Sequence, residues 1–203
     1  MAKLAKLGAR YNCVRPGQTI KSLPLCYVLS DIQRLPDPGI LLARLPRGAC
    51  VILRHDDNDA LANLAYRIIP RARIRGIKVL IANDLRLALR CKADGVHYSE
   101  RVARRGQSRL VFRKPSFIVS AAAHNRLALW RAARAGADIA LLSPVFATRS
   151  HPNAKFLGIL RFAVLARMSA IPVVPLGGVS LLNARRLRFG PGYGFAAIDA
   201  WKN

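Results

Sequence analysis

Short apolar runs alternate with amphipathic stretches along most of the chain. Most of these runs are hydrophobic at consecutive positions before they turn polar, which is typical of parallel strands covered on both faces. The stretches between them repeat apolar residues at three- and four-residue spacing, as in Leu61, Leu64, Ala65 and Ile68, and so predict helices. The eight predicted strands occupy residues 25–31, 50–57, 78–84, 94–100, 117–124, 138–146, 171–179 and 194–201. Strands that alternate with helices in this way predict an α/β fold.

Eight β/α units favour a single (β/α)₈ TIM barrel over an open doubly wound sheet, which usually has fewer strands. We assign residues 24–203 to the barrel domain and interpret residues 1–23, which are basic and contain no acid, as a short N-terminal arm. Within the helical stretches, Pro70 predicts a kink or an end, Gly136 predicts a helix C-terminus and Ser180 predicts an N-cap.

The charge of the chain is strongly unbalanced, because 34 Lys and Arg face 10 Asp and Glu, for a net charge of +24. Nucleic acid, an anionic membrane or phosphorylated small molecules would all suit this charge. No uncharged apolar run approaches the ~18 residues of a membrane span, and no nucleic-acid-binding motif is present. The four cysteines form no C-x-x-C pair, so we expect a reduced, cytoplasmic protein. The charge is also explained by a compositional bias toward basic residues spread over solvated faces.

Polar residues collect where the predicted strands end, and in a barrel of this type the active site lies at those ends. Arg54 offers a bidentate fork for a phosphate, and Gly177-Gly178 follows the seventh strand, where barrels commonly bind phosphate. Asp84 could hold Mg²⁺ or cap the next helix. His97 and His124 could be either functional or buried core histidines. Most of the few acids also fall at these ends: Asp31, Asp56, Asp57, Asp84, Glu100 and Asp199.

The segment LLSPVFATRSHP (141–152), followed by PVVPLGGV and GFAAIDA, resembles the thiamine phosphate synthase and TenI family. VILRHDD, LIAND, KADGVHYSE and SAAAHN extend the resemblance over residues 24–200. It implies a (β/α)₈ barrel of thiamine biosynthesis. The main reaction of that family couples hydroxymethylpyrimidine diphosphate to a thiazole phosphate and releases pyrophosphate with the help of Mg²⁺.

The resemblance also implies roles for individual residues. Arg54 and Thr148 would contact the pyrophosphate, Asn83 and Asp84 would serve pyrophosphate and Mg²⁺, and His124 would lie near the heterocycles. The candidate catalytic residues are thus His124 and Arg54, the candidate metal ligand is Asp84, and the candidate substrate- and phosphate-binding residues are Asn83, Thr148, Arg149, Ser150, His151, Gly177 and Gly178.

Several positions depart from the pattern of the family. Asp56 stands in place of a Lys that would neutralise pyrophosphate, and His151 stands in place of another Lys, for which Arg149 could substitute. The family segment H-x-G-Q-x-D becomes HYSERV here, so that the second Mg²⁺-binding Asp falls at Val102. A phosphate-binding Ser near the end of the eighth strand is replaced by Asp199.

These departures leave three hypotheses open. The first is a thiamine phosphate synthase, and the second is a TenI-type thiazole tautomerase that shifts a ring proton without metal. His124 would then be the general acid and base, because imidazole takes up and releases protons near neutral pH. The third is a non-catalytic protein that binds a phosphorylated ligand or nucleic acid. A homodimer is kept open as a partner, because the sequence does not determine the oligomeric state.

Overall fold

The structure is a computed structural model, and it describes residues 23–30, 38–105, 116–148, 155–187 and 190–197. The interpretation of residues 1–23 as a basic arm falls, apart from Leu23, outside the described residues. Within the described part of the chain, no helix is long and apolar enough to cross a membrane.

Eight strands form one parallel sheet, and each lies within the run predicted for it. Neighbours pair in the order β7-β6-β5-β4-β3-β2-β1-β8. The backbone N–H of Tyr193, just before β8, donates to the carbonyl of Val173 in β7 at 2.8 Å and so joins the two edges into a nearly closed barrel. The strands are β1 (Cys26–Leu29), β2 (Cys50–Leu53), β3 (Lys78–Ala82), β4 (Gly95–Tyr98), β5 (Ile118–Ala123), β6 (Ile139–Leu142), β7 (Val173–Pro175) and β8 (Phe195–Ala197).

Helices alternate with the strands, so the predicted (β/α)₈ barrel is confirmed. The helices within the described ranges are α1 (Pro38–Arg44), α2 (Asn58–Ile74), α3 (Leu85–Arg90), α4 (Glu100–Arg104), α5 (Arg126–Arg134), α6 (Gly158–Met168) and α7 (Leu181–Leu187). Each of them follows the strand with the same number, which is the connection that parallel strands require.

Three local predictions can be compared with the helix ends. Pro70 lies inside α2, which continues to Ile74, so the alternative of a helix end at this proline was wrong. Gly136 follows α5 with a φ of 83°, a left-handed conformation that suits glycine, as predicted. Ser180 caps α7 as predicted: its hydroxyl accepts from the N–H of Asn183 at 3.4 Å, while the Asn183 side chain accepts from the N–H of Ser180 at 2.9 Å.

The side chains of the strands alternate between two cores. Those pointing inward fill the barrel, while those pointing outward, such as Val51 and Val79, pack with α2 residues such as Ile68. Both faces of each strand are therefore buried, which explains the continuous apolar runs in the sequence. The interior cluster consists of Tyr27, Leu29, Cys50, Ile52, Leu80, Ile118, Ile139, Leu141, Val174, Tyr193 and Ala196.

Two carboxylates join neighbouring strands at the end of the barrel where the strands begin, here called the floor. Asp94, just before β4, accepts a hydrogen bond from the backbone N–H of Val79 in β3 at 2.8 Å. Asp138, just before β6, accepts one from the N–H of Val119 in β5, also at 2.8 Å. Acids at the floor therefore hold the sheet together.

Candidate active site at the carboxyl ends of the strands

The carboxyl ends of the eight strands meet at one end of the barrel, here called the mouth. Among the candidates, Arg54 directly follows β2, Asn83 follows β3 and His124 follows β5. Parallel strands bring all of these ends to the same side. The mouth thus contains every predicted site residue that the structure describes: Arg54, Asn83, Asp84, His124, Thr148, Gly177 and Gly178. The other three, Arg149, Ser150 and His151, lie outside the described residues.

Arg54 is fixed at the junction of β1 and β2 by Ser30. Its backbone N–H donates to the Ser30 hydroxyl at 2.9 Å, and its Nε donates to the Ser30 carbonyl at 2.8 Å. The Nε bond orients the guanidinium group, which carries the positive charge. A fixed guanidinium at the mouth is suited to binding the oxygens of a phosphate.

His97 in β4 is a core histidine, as one of the two interpretations of the sequence predicted. It is only 7% exposed, and its Nδ1 lies 2.8 Å from the Ser120 hydroxyl in β5. Burial, and secondly the charge of Arg54, lowers the pKa of His97 to about 4. The imidazole is therefore neutral at physiological pH.

Asn83 joins the ends of β3 and β4. It adopts a left-handed conformation with a φ of 58°, which Asn tolerates better than most residues. Its backbone N–H donates to the carbonyl of His97 at 2.8 Å, and its side-chain oxygen accepts from the N–H of Ser99 at 2.8 Å. The two bonds fix the backbone on which the next residue, Asp84, is presented.

Asp84 caps α3, because its Oδ1 accepts from the N–H of Leu87 at 2.8 Å. The capping interpretation of this residue is confirmed, and the cap employs one of its two carboxylate oxygens. Mg²⁺ is commonly bound through one or two carboxylates, with water and substrate phosphates as its other ligands. Asp84 therefore fits a Mg²⁺ ion that binds together with a phosphorylated substrate.

A metal site built from protein ligands alone does not fit the described residues. Among them, no group of three or more His, Cys, Asp or Glu is arranged to hold a metal ion. Val102, at the position of the family's second carboxylate, packs against the outer apolar core instead. Asp84 is then the candidate protein ligand of Mg²⁺, and substrate and water would supply the other ligands.

The loops that follow β6 and β7 pack directly on each other. The N–H of Phe146 donates to the carbonyl of Gly177 at 3.0 Å, and Gly177 and Gly178 have φ values of 88° and 64°. A Cβ on Gly178 would collide with the carbonyl oxygen of Ala147, so glycine is required for this approach. Thr148 follows Ala147 directly and is thereby held beside the glycine pair.

The mouth contains one contact that the sequence reasoning did not find. Nδ1 of His124, at the end of β5, lies 2.5 Å from Oε2 of Glu100, the first residue of α4. The side chains of His124 and Glu100 are 53% and 26% exposed, so the alternative that His124 is a core histidine was wrong. The sequence contained one signal of this contact: Glu100 stands where the family has Gln, on the β/α unit next to that of His124.

The carboxylates near the mouth have separate uses. Asp57 caps α2 by accepting from the N–H of Ala60 at 2.6 Å, as Asp84 caps α3. Glu100 contacts His124, whereas Asp56 is exposed. Two of the acids predicted at the mouth therefore serve helix ends, while Asp31 and Asp199 lie outside the described residues.

The sequence and the structure can be compared with known proteins. A family model described as thiamine monophosphate synthase, TMP-TENI, matches residues 27–199. Thiamine-phosphate synthase of Anoxybacillus flavithermus is 28% identical over 89% of this chain and 86% of its own length. Thiamine-phosphate synthase of Thiobacillus denitrificans is 33% identical over 68% of this chain and 62% of its own length.

A solved structure supports the fold. Thiamine phosphate pyrophosphorylase from Pyrococcus furiosus superposes with a TM-score of 0.71 at 21% identity, covering 90% of this chain and 89% of that one. The family model extends from β1 to just beyond β8, so the match includes the whole described barrel. The chain belongs to the thiamine monophosphate synthase family.

Proposed function

We propose that the protein couples hydroxymethylpyrimidine diphosphate to a thiazole phosphate and releases pyrophosphate. The observation that carries this proposal is the convergence at one mouth of an oriented guanidinium group, Arg54, and a close-packed glycine loop, Gly177-Gly178. Two phosphate-bearing substrates need two such anion-binding elements. The names of the relatives, which are thiamine-phosphate synthases, support the same reaction.

In this reaction the bond between the methylene carbon of the pyrimidine and the diphosphate oxygen breaks, and the oxygen keeps the electron pair. The thiazole nitrogen donates its lone pair to the same carbon, forming the C–N bond of a thiazolium cation. Arg54 and the Asn83 amide donate hydrogen bonds to the departing diphosphate, whose negative charge grows as the bond breaks. Asp84 would hold Mg²⁺ together with the substrate, and the ion would supply positive charge that offsets part of the charge on the diphosphate.

The glycine loop receives the phosphate of the thiazole in this proposal. Gly177 and Gly178 carry no Cβ, so backbone N–H groups can approach an oxyanion closely. The Asn183 side chain donates to the Gly178 carbonyl at 2.7 Å and holds the loop in place. Thr148 lies beside it and can donate its hydroxyl to either phosphate group.

The experiment is an assay of pyrophosphate release with both substrates and Mg²⁺. We expect Arg54→Ala to lower kcat/KM about 100-fold, the usual loss when a group that stabilises developing charge is removed. Arg71→Ala is the matched control, because Arg71 is an exposed arginine on α2, away from the strand ends. Equal rates for the Arg54 and Arg71 variants, or no release by the wild-type protein, would contradict the proposal.

The Glu100–His124 contact favours a second candidate, a thiazole tautomerase. In that reaction His124 removes a proton from one atom of the heterocycle, the electron pair of the broken bond shifts the double bonds, and the proton is returned at another atom, so no group leaves. The diagnostic experiment incubates thiazole phosphate alone in deuterium oxide and follows ring-proton exchange by NMR. Exchange that is abolished in His124→Gln, without any pyrophosphate release in the coupling assay, would replace the first candidate with the second.

A further inference from the structure

The Glu100–His124 contact joins two neighbouring β/α units at the mouth. Glu100 begins α4, after β4, and His124 directly follows β5. Nδ1 and Oε2 are 2.5 Å apart, which is within hydrogen-bond distance. We propose that Glu100 is a positioning residue that keeps the proton of His124 on Nδ1 and leaves Nε2 as a proton acceptor at the mouth.

The proposal follows from what each group can donate. An ionised carboxylate only accepts hydrogen bonds, so the ring nitrogen facing it must carry a proton. A neutral imidazole has one N–H, and when that N–H is at Nδ1 the lone pair is at Nε2. The amide of the Gln found at this position in the family could either donate or accept and would select neither tautomer. Glu100 therefore selects the Nδ1–H tautomer of His124, which a Gln would not do.

Each partner of the contact adjoins a residue that is fixed by a hydrogen bond. Ser99, immediately before Glu100, donates its N–H to the side chain of Asn83 at 2.8 Å. Asn125, immediately after His124, caps α5 by accepting from the N–H of Ala128 at 2.9 Å. The two side chains thus start from fixed backbone positions, which lowers the entropy cost of holding them in contact.

His124 is accessible enough to act on a ligand, because its side chain is half exposed. Its free Nε2 can accept a hydrogen bond from an N–H of a bound heterocycle, or take up a proton from an acidic ring C–H. A contact between two partly exposed groups contributes little to stability. Its loss should therefore leave the fold intact, and a functional effect can be distinguished from unfolding.

The test is to measure ¹⁵N chemical shifts of labelled histidine in the full chain without ligand, at a pH where the ring is neutral, with His124→Gln to assign the signals. We expect the Nδ1–H tautomer of His124 to predominate in the wild-type protein. In Glu100→Gln the Nε2–H tautomer should increase at least several-fold, with an unchanged melting temperature. Asp56→Asn, which removes an exposed acid from another unit, should leave the ratio unchanged. A wild-type protein with Nε2–H predominating, or an unchanged ratio in Glu100→Gln, would overturn the proposal.

The kinetic consequence rests on the proposed function, whereas the tautomer measurement does not. In the tautomerase reaction, where His124 moves a proton, we expect Glu100→Gln to lower kcat about 10- to 100-fold with KM nearly unchanged. The coupling step moves no proton, so pyrophosphate release should change little. Glu100→Asp, which keeps the carboxylate, should recover part of this loss. A tautomer ratio that follows Glu100 in a protein that releases no pyrophosphate would support the positioning role and refute the coupling reaction. Pyrophosphate release by a protein whose tautomer ratio does not change in Glu100→Gln would support the coupling reaction and refute the positioning role.

Discussion

The two ends of the barrel use carboxylates in different ways. At the floor, Asp94 and Asp138 accept hydrogen bonds from backbone N–H groups of adjacent strands. At the mouth, Glu100 contacts a side chain, His124, that is itself half exposed. The two floor contacts join neighbouring strands, whereas a side-chain contact at an accessible site can direct chemistry. The floor contacts therefore serve the fold, whereas the mouth presents accessible side chains that our proposal uses for chemistry.

Solvent access also distinguishes the barrel interior from the mouth. Burial raises the pKa of the Cys50 thiol and the pKa of the Tyr27 hydroxyl well above their usual values. The Tyr27 hydroxyl is buried without a hydrogen-bond partner among the described residues. A thiol that stays protonated is a poor nucleophile. The interior thus holds polar groups that are chemically inert, while the accessible groups lie at the mouth.

The largest expected effect concerns packing near the floor. A Cβ on Gly95 would collide with the backbone carbonyl of Ile118 in the next strand, and the barrel cannot widen locally. We expect Gly95→Ala to lower the free energy of unfolding by about 3 kcal/mol or more, measured by urea denaturation. Gly190→Ala is the control, since a Cβ there would meet its nearest neighbour at 3.4 Å. Similar losses in both variants would refute this account of the barrel interior.

The next effect is a pH dependence of stability that arises from His97. Its pKa in the folded protein is about 4, below the ordinary value of 6.5, so the unfolded chain takes up a proton over this range that the folded chain does not. The stability that the neutral ring contributes is present above pH 6.5 and is lost as the pH falls toward 4, by about 3 kcal/mol at most. The free energies of unfolding of the wild-type protein and His97→Gln, plotted against pH, should converge as the pH falls. A constant difference between the two from pH 7 to 4 would contradict this prediction.

Asp84 allows the structural and chemical roles to be separated within one residue. Asp84→Asn keeps an oxygen that can cap α3 but removes the charge, so we expect unchanged stability and a loss of Mg²⁺-dependent pyrophosphate release of about 100-fold. Asp84→Ala should lose the cap as well, at a cost of about 1 kcal/mol. Full activity of the Asn variant would show that Asp84 is a capping residue alone.

The smallest effect is predicted for the floor carboxylates. Asp94→Ala leaves the N–H of Val79 without its side-chain acceptor, so we expect a loss of about 1–2 kcal/mol in the free energy of unfolding. Pyrophosphate release per folded molecule should not change. A fall in kcat at equal folded fraction would place chemistry at the floor and would undo the comparison between the two ends.

The sequence was sufficient for the barrel and for most of the mouth. Parallel strands buried on both faces leave continuous apolar runs, and the residue that ends each run, such as Arg54 or Asn83, lies at the mouth by topology alone. The Glu100–His124 contact could not be predicted in this way, because it joins side chains 24 residues apart on different units. The two roles of Asp84 could not be distinguished either, because an Asp directly after a strand is expected both for a helix cap and for a proposed metal ligand.

A crystal structure of the protein with Mg²⁺, thiazole phosphate and an unreactive analogue of the pyrimidine diphosphate would test the central claim most directly. Our account predicts the diphosphate on Arg54 and Asn83, a Mg²⁺ between it and Asp84, and the thiazole phosphate against Gly177-Gly178. A diphosphate bound to the exposed arginines of the helices, with no ligand at the mouth, would contradict it.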